Sequence, residues 1–249
     1  MTPENPSAAM RQIVKDYGAI VPLKTFTLMP DGGSLADKNI IFNSVTDVSA
    51  PISVLDIGFG VGGMGHLIKG HSQTAHWNID GLDAWEPNCH NQALISQRVY
   101  RNVWHGLVQQ LDEAQLRQYD VICLMDVIEH LDVPTAKAVL TKVLTHMRED
   151  ARFVMSTPLW FFPQDEIQSG DFEKHLICVP ATAVLGLLPL IYSITPMLIG
   201  NFVFGKKSLD TISLFQPVED QSITFDKGWA IVRALRLPHE PGVAYSLPA

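Results

Sequence analysis

The sequence predicts an α/β protein built on a mostly parallel sheet with helices on both faces. Three observations carry this. Residues 54–63 read V-L-D-I-G-F-G-V-G-G, an apolar strand tipped by an acid that runs straight into a glycine-rich turn. From Ile52 to Ser156, apolar strand-like runs alternate with helical stretches, the pattern of strand–helix–strand units sharing one sheet. The chain has 249 residues, 47% of them apolar, which is enough for the core such a sheet needs.

The elements follow in order. Pro6 to Tyr17 read as a helix with Ala8, Ala9, Ile13 and Val14 on its apolar stripe, stopped by Gly18. Residues 21–50 are irregular and carry a Pro30-Asp31-Gly32-Gly33 turn, so 1–50 is expected to form a leader that caps a domain spanning 51–249. The first sheet strand is Ser53 to Ile57, followed by a helix from Gly62 to Lys69. The second strand is His76 to Leu82, ending at Asp83. A helix then runs from Glu86 to Arg98 with Pro87 in its first turn. A short third strand lies at Asn102 to His105, and a fourth, Y-D-V-I-C-L-M, at Tyr119 to Met125. Asp132 caps a helix from Pro134 to Met147. The fifth strand, Ala151 to Ser156, stops at Pro158, and Trp229 to Leu235 reads as the last strand.

Composition excludes some functions. The formal net charge of −8 disfavours a nucleic-acid binder, whose affinity rests mostly on a basic surface. Cys89, Cys123 and Cys178 are scattered and form no C-x-x-C pair, which fits a reducing compartment. The first residues lack the layout of a signal peptide, so a cytoplasmic location is expected. Leu176 to Gly205 contains no Asp, Glu, Lys or Arg, yet Pro180, Pro189 and Pro196 break it up as a helix. It is expected to be an apolar insertion: buried core with a lid or dimer face, or else a membrane-surface contact or a membrane span.

Gly58, Gly60 and Gly63 satisfy G-x-G-x-x-G, a pattern several nucleotide folds share. Asp56, two positions before the first glycine, sits where a dinucleotide-binding strand usually has no acid. The order L-D-x-G-x-G-x-G, carried by Leu55, Asp56, Gly58, Gly60 and Gly62, resembles motif I of the class I S-adenosylmethionine-dependent methyltransferases. Three further segments match that family in the right order: G-L-D ending the second strand, D-V-I-E-H-L after the fourth, and S-T-P ending the fifth.

The resemblance implies a Rossmann-like sheet of seven strands, the last antiparallel, with S-adenosylmethionine as cofactor. It implies that Asp56 and the glycines hold the cofactor's amino acid end, that Asp83 clasps the ribose hydroxyls, and that Asp126 lies near the methyl group. Trp85 either packs on the adenine or belongs to the core. The family's usual Gly-Asp after the third strand is Gly106-Leu107 here, so Gly106 and Leu107 are expected at the cofactor and the adenine amine contact must be a backbone one or come from elsewhere.

His130, with Glu129 beside it, is the expected catalytic pair, histidine titrating near neutrality; the alternative for His130 is a structural role in its turn. Asp126, Glu129, His130 and His175 also resemble the metal-binding set of small-RNA 2′-O-methyltransferases. Asp126 replaces a Glu, however, and a second histidine of that set is absent, so the favoured assignment has no metal. The expected reaction is O-methylation of a small-molecule or saccharide hydroxyl, the acceptor lipid-linked if 176–205 walls its pocket. A nicotinamide-dependent oxidoreductase and a non-catalytic partner subunit are the alternatives from other classes; the first leaves Asp56 and D-V-I-E-H-L unexplained.

Overall fold

A computed structural model describes residues 20–22 and 35–247. The expected helix at Pro6–Tyr17 and the turn at Pro30–Gly33 lie outside the described residues. In chain order the elements are β1 (Ile20–Pro22), α1 (Ile40–Asn43), β2 (Ser53–Ile57), α2 (Gly63–Lys69), β3 (Asn78–Asp83), α3 (Glu86–Cys89), α4 (Gln92–Ser96), β4 (Asn102–His105), α5 (Glu113–Leu116), β5 (Val121–Met125), α6 (Val133–His146), β6 (Arg152–Pro158), α7 (Ala181–Leu185), β7 (Ile191–Ile194), β8 (Ile199–Phe204), α8 (Phe225–Ala234) and β9 (Val243–Ser246).

The strands form one sheet in the order β4-β3-β2-β5-β6-β8-β7-β9-β1. β4 through β6 in that order run parallel, with Asp56 opposite Gly81 on one side and Cys123 on the other. β8 is antiparallel to both β6 and β7, and β9 is antiparallel to β7 and β1. The chain winds outward in opposite directions from β2 and β5, so a crevice opens between them at the carboxyl ends of the strands, the place where open α/β sheets bind ligands.

Alternation along the strands builds the two faces. Leu55, Ile57, Ile122, Leu124, Phe153 and Met155 join the core cluster under α6 with Val139, Leu140 and Val143. Val54, Val121, Cys123 and Val154 join the opposite cluster with Met64, Leu67 and Ile68 of α2. The period of two is that of the pleat. Asp132 caps α6 as expected, its carboxylate accepting from Thr135 N–H at 2.8 Å.

Four expectations need correction. The sheet has nine strands rather than seven, because β9 and β1 extend the edge beyond β7. Trp229 to Leu235 is not a strand but lies in and just after helix α8. Gly228 and Val232 are its buried positions, with Phe225 and Trp229 packed beside them, a helical spacing that the apolar run W-A-I-V hides. The final antiparallel strand of the expected seven is instead β8. It lies with β7 inside the uncharged stretch read as an insertion, so that stretch supplies the middle of the sheet. Finally, the single helix expected over 86–98 is two short ones. Asn91 starts the second, its side-chain oxygen accepting from Ala93 N–H at 3.0 Å. No helix among the described residues is long and apolar enough to cross a membrane.

Candidate active site

The glycine turn after β2 is built as its sequence demands. Gly58, Gly60 and Gly62 have φ of 70°, 55° and 86°, a region that costs any residue with a Cβ. At Gly58 a Cβ would also strike the side chain of Val127, so conformation and space both require glycine there. The turn is pinned by Asp83 at the end of β3. Its two carboxylate oxygens accept from Gly60 N–H and Trp85 N–H, each at 2.8 Å. Burial raises the Asp83 carboxyl, and these two backbone donors oppose the shift. Asp83 therefore organises the loop as well as lining the cavity beside it.

Two adjoining cavities open over the turn. The larger, about 430 Å³, is lined by Asp56, Gly58 to Val61, Lys38, Asp126, Glu129, His130 and His175, among others. The smaller, about 140 Å³, is bounded by Asp83, Trp85, Gly106, Leu107 and Phe172. Trp85 borders both and belongs to neither core cluster, which favours its ligand-facing reading over the core one. Leu107 N–H is already taken by the Gln110 side chain at 2.8 Å, so it is not a spare donor for a ring. Asn88 and Glu173 border both cavities and Lys38 the larger one, though none was singled out from sequence. Asn88 stands at an unremarkable spacing, and Lys38 comes from a segment with no recognisable motif.

Asp56 is 2% exposed and accepts from the Tyr100 hydroxyl at 2.8 Å. Burial pushes its carboxyl up to about 6, against the Tyr100 hydrogen bond and the charge of Lys38. A cationic ligand group is the natural complement of such a carboxylate.

Beyond β5 the chain makes a tight turn. Asp126 takes a left-handed φ of 53°. Its N–H donates to Ser156 Oγ at 2.9 Å, and that hydroxyl donates in turn to Asp126 Oδ1 at 2.6 Å. The turn delivers Glu129 and His130 to the crevice, and His175 arrives from the loop after β6. The two imidazoles meet edge to face, 4.6 Å between centroids. His175 Nδ1 lies 2.7 Å from Phe162 O, so it carries the proton there and leaves Nε2 with the lone pair, while His130 Nδ1 lies 3.3 Å from Lys174 O. Burial lowers both rings, His175 to about 4 with the help of its neighbour His130. Glu129 is held well above the usual carboxylate range, first by burial and then by the Asp126 charge. The expected pair is thus brought together, and His175 joins it.

The crevice fits a cofactor that is cationic at both its amine and its sulfur. It is acidic, its glycine cradle leaves room that a side chain would fill, and its buried acid Asp56 faces that room. Fold and crevice together define a class I S-adenosylmethionine-dependent methyltransferase domain. A family model described as "Methyltransferase domain" matches residues 34–181, more than half of the chain, and the chain belongs to that family.

Among solved structures it is similar to an S-adenosylmethionine-dependent methyltransferase from Clostridium acetobutylicum, with 17% identity, 52% of this chain and 56% of the other covered, and a TM-score of 0.41. It is also similar to an O-methyltransferase family protein from Burkholderia thailandensis, with 11% identity, 67% and 54% covered, and a TM-score of 0.45. The chain spans about half the length of these relatives. No curated protein matches it in sequence.

One consequence of the Asp83 geometry is testable now. Asp83→Ala removes the anchor of both Gly60 and Trp85, and cofactor binding measured by calorimetry should weaken at least tenfold. An unchanged affinity would remove Asp83 from the site.

Proposed function

We propose that this chain transfers the methyl group of S-adenosylmethionine to a hydroxyl oxygen of a small molecule or saccharide. The observation that supports the oxygen acceptor is the Glu129–His130–His175 cluster at the mouth of the cofactor crevice. Sulfonium methyl transfer needs alignment above all, and only an acceptor that must lose a tightly held proton needs more. In the step, the acceptor O–H gives up its proton, a new O–CH3 bond forms, and the S–CH3 bond breaks. Its electron pair stays on sulfur, leaving a neutral thioether. The cluster handles the proton, and Asp56 and the glycine turn orient the donor.

The acidity of the crevice argues against a polyanionic acceptor: Asp56, Asp126, Glu129 and Glu173 line the larger cavity, and Lys38 is the one lysine or arginine among its described lining residues. Pro158, Phe162, Ile167 and Ile199 complete that wall with apolar surface, which suits a ring or an alkyl chain.

Incubation with methyl-labelled cofactor and a panel of phenols, sugars and lipid-linked sugars tests this. Label should enter an oxygen of at least one class, and label found only on nitrogen or carbon acceptors would refute it. His130→Ala should lower turnover by about 10²- to 10⁴-fold, the range of general acid–base contributions, with cofactor affinity nearly unchanged. Wild-type turnover in that variant would end the role given to His130.

A further inference from the structure

One aromatic side chain at the crevice has no packing role in the fold. Phe172 lies on the loop between β6 and α7 and is 56% exposed. The other aromatics of that loop are used in packing. Phe161 is buried, and Trp160 and Phe162 meet edge to face at 5.1 Å, with Phe225 and His175 as their further partners. Phe172 belongs to neither core cluster, and among the described residues no ring lies against it. It also takes a left-handed φ of 63°, which is unfavourable for a bulky residue. Strain of that kind persists only where the surroundings impose it, and it gathers at functional sites.

The loop imposes it here. Asp171 is 5% exposed, and its carboxylate accepts from three backbone N–H groups: Ile167 at 2.9 Å, Gln168 at 2.6 Å and Glu173 at 3.0 Å. Gly170, just before it, turns the chain with a φ of 79°, and Gln164 Nε2 donates to Glu173 O at 2.8 Å. Farther along, Leu176 N–H and Ile177 N–H donate to Glu129 O at 2.8 and 3.3 Å, which fastens the loop to the turn after β5. The backbone under Phe172 is thus fixed at the edge of the smaller cavity, which Phe172 lines together with Asp83, Trp85, Gly106 and Leu107.

Asp83 marks the ribose end of that cavity, and Gly106 and Leu107 mark the side where the base belongs. There the chain departs from its family. Leu107 puts an apolar side chain where a carboxylate is usual, and its N–H is already taken by the Gln110 side chain at 2.8 Å. Neither group can hold the edge of the adenine. A purine also offers its faces, which an aromatic ring meets without needing any particular donor or acceptor. We infer that Phe172 stacks on the adenine ring of the cofactor and supplies affinity that the missing carboxylate does not. Base–aromatic stacking is worth roughly five- to 150-fold in affinity by alanine substitution. The stacking role rests on the cofactor crevice and not on oxygen as the acceptor atom.

Calorimetric titration of the full chain with S-adenosylmethionine and with S-adenosylhomocysteine tests it, beside thermal melts without cofactor. Phe172→Ala should weaken both ligands about tenfold or more. Because the side chain is exposed, the cofactor-free melting point should stay within about 2 °C of wild type. Phe172→Tyr keeps the ring and should bind within about threefold of wild type. Phe172→Leu keeps apolar bulk without a flat face and should fall close to Phe172→Ala. Wild-type affinity in the Ala or Leu variant, or an equal loss in the Tyr variant, overturns the stacking role and leaves the cofactor site standing. A Phe172→Ala protein that melts far below wild type makes the residue structural and overturns it as well. A wild-type chain that binds neither ligand overturns the cofactor site and the stacking role together.

Discussion

Asp56→Asn is expected to weaken S-adenosylmethionine binding about a hundredfold, in line with the roughly 2–5 kcal/mol lost when one partner of a buried charge pair is truncated. The same variant should be more stable than wild type without cofactor. The Asp56 carboxyl is raised from 3.8 to about 6 in the folded protein. A carboxyl raised on folding favours the fold when protonated, so that contribution is complete below about pH 3.8 and is lost as pH rises through about 6. At pH 7.5 the ionised, buried Asp56 is therefore a cost on the order of 2–3 kcal/mol, which a neutral amide escapes.

Cofactor affinity carries the opposite sign. The cationic donor needs the carboxylate, so affinity should fall as pH drops below about 6 in wild type and show no such fall in Asp56→Asn. Calorimetry from pH 5 to 8 with thermal melts on both proteins checks each half. A variant that binds like wild type, or a wild-type profile flat across pH 6, would contradict the role of Asp56. The protein tolerates an unfavourable buried charge because its counter-ion arrives with the ligand.

The cofactor half of this site was legible in sequence because its chemistry is local. One strand, one acid and three glycines sit within a single turn, and the positive φ values at Gly58, Gly60 and Gly62 are what that spacing asks for. The outer half was legible only in part. His130 and Glu129 stood out in D-V-I-E-H-L, and the resemblance added His175, but the carbonyls that hold the two rings, Lys174 O and Phe162 O, belong to a loop far along the chain. No periodicity encodes such a meeting. Asp83 shows the same limit from another side: its position was expected, but its grip on Gly60 and Trp85 depends on how two strand ends converge. Trp229 to Leu235 misled because four apolar residues in a row satisfy strand and helix alike, and the deciding residue, Gly228, packs under Leu198 and the Leu159 carbonyl.

Phe202→Ala is expected to cost about 3–5 kcal/mol of stability, a large share of the roughly 5–15 kcal/mol a typical domain has. The reason lies in how the uncharged stretch is used. Every residue of β8 is buried, and its neighbours β6 and β7 cover it on both edges. Phe202 itself is 1% exposed, stacks on Phe204 at 6.0 Å, and lies over the backbone of Gly200, where no side chain would fit. A strand buried on both faces reads as a continuous apolar run with no alternation, and the same run resembles a membrane or lid segment when only sequence is in hand.

The two interpretations differ in what substitution does. If the stretch served as an apolar surface, truncating Phe202 would leave the melting point in place and change only association. As the centre of the sheet, it must lower the melting point by many degrees, and the loss should be cooperative across far-ultraviolet and tryptophan fluorescence signals. Leu190→Ala, a truncation of a partly exposed apolar residue just before β7, provides the comparison and should cost far less. Similar losses for the two variants, or a Phe202→Ala protein that melts like wild type, would mean that β8 does not carry the core.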